Sequence, residues 1–308
     1  MNFNMPHSLN FESAVKAADE VMRNKNPKLK RISNLLVSGR IRPYFYLCYY
    51  YLRWVDDFVD DNKNSIESKK IFVEHQLNLI CSLMEGKSPH LNCAEEYFLF
   101  YLIEYLRSLQ KSNLINLIVV MLNTIRQDVH RLEKDGIFTE AEMQKYFEDQ
   151  AKSGFGIVNF FLMPKEHYKY DDKFTCVLTF IFISFAKDLF NDLKLGYVNI
   201  SREDINKFKL DVNNLLNDSK LKDWYKDVVI SWKESLKKDV SVIKELPIKL
   251  KLYWFWLYPY CLHKINRIKI YDYTPINLKQ KVLINEVILY LTAGLNTIKA
   301  FYKVFITP

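Results

Sequence analysis

An all-α fold is predicted for this chain of 308 residues, and three observations predict it. Gly and Pro, which punctuate strand-and-turn folds, number only 7 and 9. Apolar residues recur at helical spacing nearly from end to end. Helix-start signals stand in front of several of these segments.

Taken in order, the first candidate helix is 11–24. The second, 43–61, opens on Pro43, whose missing N–H is not needed in a first turn. Periodicity carries 65–85, 93–110 and 112–131, and Gly136 then breaks the chain. Thr139 with Glu142 makes a capping box for 139–151, which is expected to stop before the Gly154/Gly156 pair. The helix at 172–195 contains the longest apolar run, Phe174 to Ala186, too short to span a bilayer. Ser201 with Asp204 starts 202–217, and 220–245 runs to a break at Pro247. The helix at 248–269 holds the aromatic cluster "YWFWLYPY" (253–260), interrupted by Pro259, and 277–305 closes the chain. Core packing, pocket closure and membrane contact are all open roles for that cluster. No repeat or linker is visible, so residues 1–308 are expected to form one domain.

Composition narrows the function classes. The net charge of +8 suits an anionic ligand or an anionic membrane surface. Nucleic acid is not indicated, because no basic block alternates with exposed aromatics. The five cysteines are scattered with no CxxC pair, which argues against a zinc site or a disulfide framework and for a reducing cytosol. No signal peptide is apparent, so a cytoplasmic protein is expected, with peripheral membrane contact left open. No GxGxxG, P-loop or Ser-His-Asp order is present. His130 and His263 read as structural.

The chemistry concentrates in two acidic segments. In "YYYLRWVDDFVDD", Asp56, Asp57 and Asp60 recur at three- and four-residue spacing, with Arg53 one turn upstream. On a helix this projects the carboxylates from one face. In "AKDLFNDLKLG", Asp188 and Asp192 are again four apart, beside Lys187. Oxygen ligands without His or Cys favour a hard cation, Mg²⁺ with Mn²⁺ as an alternative, which keeps water and takes phosphate oxygens. Such a pair of sites stabilises a departing pyrophosphate. The 21 Phe and 20 Tyr then have a use beyond core packing: aromatic walls make a dry pocket and their faces stabilise a carbocation. Read blandly, each acidic pair is a solvated helix face, and Asp128 with Arg131 is a surface ion pair rather than a further diphosphate ligand.

These segments resemble the squalene/phytoene synthase family. "GRIRPYFYLCYYYLRWVDDFVDD" (39–61) is similar to the family's first aspartate helix, with Tyr49, Arg53, Asp56, Asp57 and Asp60 on its motif. "SFAKDLFNDLKLGYVNISREDI" (184–205) is similar to its second, with Asp188 and Asp192 on the motif. "DVHRLEKDGIFTEAEMQKYFEDQAKSGFG" (128–156) resembles the segment between, with Tyr146 on the family's Tyr. The resemblance implies an isoprenoid-synthase-type helical bundle around a central cavity. It implies Mg²⁺ held by Asp56, Asp57, Asp60, Asp188 and Asp192, and diphosphate contacts from Arg53 and Lys187. Tyr49, Tyr146 and Phe155 would face hydrocarbon or cation. The implied activity is head-to-head condensation of two prenyl diphosphates, C15 units by expectation, to presqualene diphosphate, squalene or a phytoene-type product. NADPH is used by some members and not by others.

The chain departs from the family pattern in several places, among them the usual Gly after Tyr146, displaced so that Phe155 sits between Gly154 and Gly156. Ser184 stands where an Asn is usual, and Lys187 where an Arg is usual, losing the bidentate fork. Tyr197 and Asn199 stand where the loop after the second motif usually carries Arg and Tyr. These changes keep open a cyclase or hydrolase acting on a single prenyl diphosphate. A non-catalytic binding relative is the third reading.

Overall fold

The computed structural model describes residues 10–164, 175–243 and 246–270; the helix expected at 277–305 lies outside them. Among the described residues the secondary structure is helical, apart from one isolated bridge between Ile137 and Val198. The helices are α1 (Phe11–Lys25), α2 (Pro27–Leu36), α3 (Arg42–Asp60), α4 (Ile66–Met84), α5 (Ala94–Ser108), α6 (Ser112–Leu132), α7 (Glu140–Leu162), α8 (Thr175–Lys194), α9 (Arg202–Phe208), α10 (Leu221–Ile243) and α11 (Ile248–Ile270).

Side chains close the starts of α1, α2, α4, α7 and α9, because the first N–H groups have no partner within the helix. Asn10 Oδ1 accepts from Ser13 N–H at 2.8 Å, and Ser65 Oγ accepts from Ser68 N–H at 3.1 Å. The expected capping box is reciprocal: Thr139 N–H donates to Glu142 Oε2 at 2.9 Å, and Glu142 N–H to Thr139 Oγ1 at 3.2 Å. Ser201 Oγ accepts from Asp204 N–H at 3.1 Å. Asn26 ends α1 and starts α2: its N–H bonds the Met22 carbonyl, and its Oδ1 accepts from Leu29 N–H at 3.1 Å. Sequence patterning missed α2, although Asn26 followed by Pro27 is a start signal.

Two other boundaries differ from expectation, and the helix expected at 248–269 stands as α11. Helix α7 does not stop before its glycines but runs through Gly154 and Gly156 to Leu162. A Cβ on Gly156 would lie 2.6 Å from Leu117 Cδ1 of α6, so this glycine serves close helix packing rather than a turn. The expected helix 202–217 is two pieces: α9 ends where Lys209 turns left-handed (φ 52°), and a 3-10 helix follows over Val212–Asn217. Helix α11 continues through Pro259, with Trp254, Leu257 and Cys261 buried on its inner side. Those burials assign much of the aromatic cluster to packing.

The chain forms two compact units, and α7 contributes to both. The first comprises α1 to α5, most of α6 and the later part of α7. Helix α3 is its centre, packed on α1 and α5. Phe45, Leu47, Cys48, Tyr51, Val55 and Val59 form its inner stripe. Tyr44 stacks on Tyr105 of α5 at 3.6 Å, and Phe11 of α1 leans on Tyr44 at 5.4 Å. Phe45 meets Phe161 of α7 edge-on. In the second unit α8 packs on α10 and α11. Phe182 stacks on Trp232, and the Tyr225 hydroxyl donates to the Ala186 carbonyl at 2.8 Å.

Two glycines of the second unit shape the chain beside its acidic helix. Gly136 and Gly196 have φ of +74° and +89°, a region that side chains disfavour. Their backbones touch: a Cβ on Gly136 would fall 1.9 Å from the Gly196 carbonyl oxygen. Val198 N–H donates to the Gly136 carbonyl at 3.0 Å and Arg202 N–H to the Phe138 carbonyl at 2.9 Å. The loop after α8 is thereby fastened to the loop before α7.

Candidate active site

Within the first unit, one wall of α3 is core and the other is chemistry. Tyr51, Val55 and Val59 are fully buried, which turns Arg53, Asp56, Asp57 and Asp60 away from the core at helical spacing. The side chains of Arg53, Asp56 and Asp57 keep 42%, 41% and 39% of their surface exposed. Arg53 grips both carboxylates: Nη1 lies 3.1 Å from Asp56 Oδ2, and Nη2 donates to Asp57 Oδ1. This is the positive charge that the clustered aspartates require. Tyr49 sits one turn earlier and accepts from Asn26 Nδ2 at 3.3 Å.

Two further cations join from other helices. Lys25 Nζ of α1 lies 3.5 Å from Asp57 Oδ2. Lys69 of α4 is buried; burial depresses its ammonium group while the Asp60 and Asp61 charges pull it back up. Neither lysine was legible as a site residue, since Lys25 is 32 positions from Asp57 and no local spacing links them.

Asp56 shows what the crowding costs. Burial, and then the charges of Asp60 and Asp57, push its carboxyl up to about 7 against the pull of Arg53. With 41% of the side chain exposed, water moderates the burial contribution, and the adjacent carboxylates sustain the direction. The folded-state value lies above the ordinary one, so the folded chain holds this proton more tightly than the unfolded chain does. Stability without divalent cation is therefore expected to fall as pH rises between about 4 and 7. A cation bound there needs the ionised carboxyl. Millimolar Mg²⁺ is thus expected to raise Tm more at pH 8 than at pH 5.5, which thermal melts across that range would check.

The second unit carries the other acidic pair. Asp188 and Asp192 lie on α8, half-buried. Asn199, from the loop after α8, donates from Nδ2 to Asp192 Oδ2 at 2.5 Å. Arg131 Nη1 donates to Asn199 Oδ1 at 3.1 Å. Arg131 is buried, with its guanidinium 4.5 Å from the Phe138 ring centre and 4.6 Å from that of Tyr197. It lies in the interior and not at the surface, where the sequence alone places it. The Ser184 hydroxyl donates to the Phe180 carbonyl of its own helix at 3.0 Å. Tyr146 is buried among Phe138, Phe147 and Phe185, and its hydroxyl accepts from Gln150 Nε2 at 2.8 Å. Phe155, also buried, belongs to the first unit. The Lys187 side chain lies outside the described residues.

Among the described residues, no three His, Cys, Asp or Glu side chains converge closely enough to hold a metal by themselves. The oxygen-only donors on α3 and α8 do fit Mg²⁺, which keeps several waters and uses one or two carboxylates with substrate phosphates. No described helix is long and apolar enough to cross a membrane.

Two solved structures share this arrangement of helices. Squalene synthase HpnC from Alicyclobacillus acidocaldarius matches with a TM-score of 0.67 over 86% of this chain and 96% of its own, at 16% identity. A dehydrosqualene synthase solved with a ligand matches with a TM-score of 0.67 over 94% and 98%, at 14% identity. The chain has the squalene synthase fold. No protein-family model and no curated protein matches the sequence. At these identities the shared feature is the fold alone.

Proposed function

We propose that the chain is a Mg²⁺-dependent prenyltransferase that joins two prenyl diphosphates head to head. C15 units are the expected substrates, and presqualene diphosphate, squalene or a phytoene-type hydrocarbon is the product. The observation that carries this reading is the Arg53–Asp56–Asp57–Asp60 face of α3, on a fold shared with squalene-type synthases over 86% of the chain.

When bound, Mg²⁺ supplies the electrostatic stabilisation that lets pyrophosphate leave. Asp56, Asp57 and Asp60 would hold it on the first unit; Asp188 with Asp192 is a separate candidate pair on the second. Arg53 donates to carboxylates in this structure, and on substrate binding it turns its fork to phosphate oxygens. Lys25 balances Asp57 and contributes charge to the same exchange. On the first unit Tyr49 would offer a ring face to a carbocation, whereas Tyr146 and Phe155 are buried in packing.

The loop after α8 favours a second reading. Tyr197 and Asn199 are both buried and engaged with Arg131 and Asp192, so neither replaces a diphosphate-binding arginine. A chain with one competent diphosphate site would cyclise or hydrolyse a single prenyl diphosphate. Incubation with labelled C15 and C20 diphosphates and Mg²⁺, with and without NADPH, separates the two by mass spectrometry. Dimeric C30 or C40 product is expected; monomeric alcohols or cyclic terpenes alone would replace the first reading with the second. Absence of any pyrophosphate release would remove both.

A further inference from the structure

Asp192 is held by a device of this chain's own making. Its Oδ2 receives a hydrogen bond from the Asn199 amide. A carboxamide has one donor end and one acceptor end, and which end points where is decided by its neighbours. Arg131 decides it here. A guanidinium only donates, so the Asn199 oxygen must face Arg131 and the amide NH₂ must face Asp192. Arg131 itself is immobilised between the rings of Phe138 and Tyr197. Those residues sit on the two loops that the Gly136–Val198 hydrogen bond fastens together. Asn199 and Arg131 are 95% or more buried, so water does not easily substitute for either partner.

We propose that Arg131 and Asn199 are positioning residues that fix the Asp192 carboxylate for magnesium diphosphate. Tyr197 and Phe138 act through Arg131 by stacking. The proposal rests on the magnesium reading above and deepens it: Tyr197 and Asn199 of this loop serve the orientation of the metal-binding carboxylate. Charge alone does not meet the requirement, because the planar fork and its two ring faces are what aim the amide.

The test uses the whole chain with Mg²⁺ and inorganic pyrophosphate, read by thermal shift and by Mn²⁺ electron paramagnetic resonance. Asn199→Leu keeps the volume and removes the donor. It is expected to raise the Mg²⁺–pyrophosphate midpoint about tenfold, the equivalent of one lost charge-assisted hydrogen bond. Arg131→Lys keeps the charge and loses the fork, and is expected to weaken binding roughly threefold to tenfold. It also serves should Asn199→Leu fail to fold. In turnover, the Mg²⁺ concentration for half-maximal pyrophosphate release rises with the binding midpoint, while the rate at saturating Mg²⁺ stays within about threefold of the unaltered chain. Variants that melt earlier yet keep the unaltered midpoint overturn the proposal, since that is the behaviour of a purely structural contact. An unaltered chain that binds no Mg²⁺–pyrophosphate overturns the magnesium reading itself, and this inference falls with it.

Discussion

An Asp57→Asn chain is expected to release pyrophosphate from a prenyl diphosphate at least about a hundredfold more slowly than the unaltered chain. Asp57 stands at the centre of the first unit's charge array, contacted by Arg53 from its own helix and by Lys25 from α1. Asparagine preserves the shape and removes the negative charge. The lost interaction matters chiefly where charge develops on the leaving group, so the rate should suffer more than binding of the hydrocarbon. The fold should not suffer. Both ion pairs of Asp57 are partly exposed, and such pairs contribute about 0–1 kcal/mol each. Asp188→Asn is expected to give a loss of the same order from the second unit. A pyrophosphate-release assay with melting curves on each variant checks both claims. Turnover within about tenfold of the unaltered chain in both variants would contradict the assignment of these carboxylates.

Gly136→Ala should cost stability on the order of 3 kcal/mol. Two costs coincide there. An L side chain at φ +74° is strained by roughly 1–2 kcal/mol. Its Cβ would also stand 1.9 Å from the Gly196 carbonyl oxygen, which is backbone and cannot rotate away. Relief requires the two loops to part, which forfeits the Val198–Gly136 hydrogen bond, a further ~1 kcal/mol. Chemical denaturation measures the loss directly. Because the same loops carry Tyr197, Phe138 and Asn199, the variant should also bind Mg²⁺–pyrophosphate more weakly at temperatures where it remains folded. A Gly136→Ala chain as stable as the original would show that this contact is not close in solution.

Much of the fold was legible because helices advertise themselves locally. Pro43, Ser201 and the Thr139/Glu142 box each act within one turn, and each stands where the structure begins a helix. The glycines of α7 were misread for the converse reason. Taken alone, Gly154 and Gly156 lower helix propensity and resemble a stop. Leu117 of α6 makes a glycine favourable inside the helix, because it packs where a side chain on Gly156 would have been. Pro259 lies inside the helix expected at 248–269, which tolerates it because the packing of Trp254 and Cys261 outweighs one missing hydrogen bond.

The acidic faces divide along the same line. That Asp56, Asp57, Asp60 and Arg53 share one face of a helix, and that Asp188 and Asp192 share another, follows from 3.6 residues per turn and needed nothing beyond the sequence. Which charges answer them from other helices did not follow. Lys25 reaches Asp57 across 32 residues, and Arg131 reaches Asn199 across 68. Periodicity carries information over a turn or two, whereas these partners meet only because buried apolar stripes bring distant segments together. The sequence alone thus determined the helices and the direction of their carboxylates. Tertiary packing alone decided that Lys25 joins Arg53 at Asp57 and which amide aims Asp192, because contact between remote residues depends on how whole helices dock and not on the order of residues within any one of them.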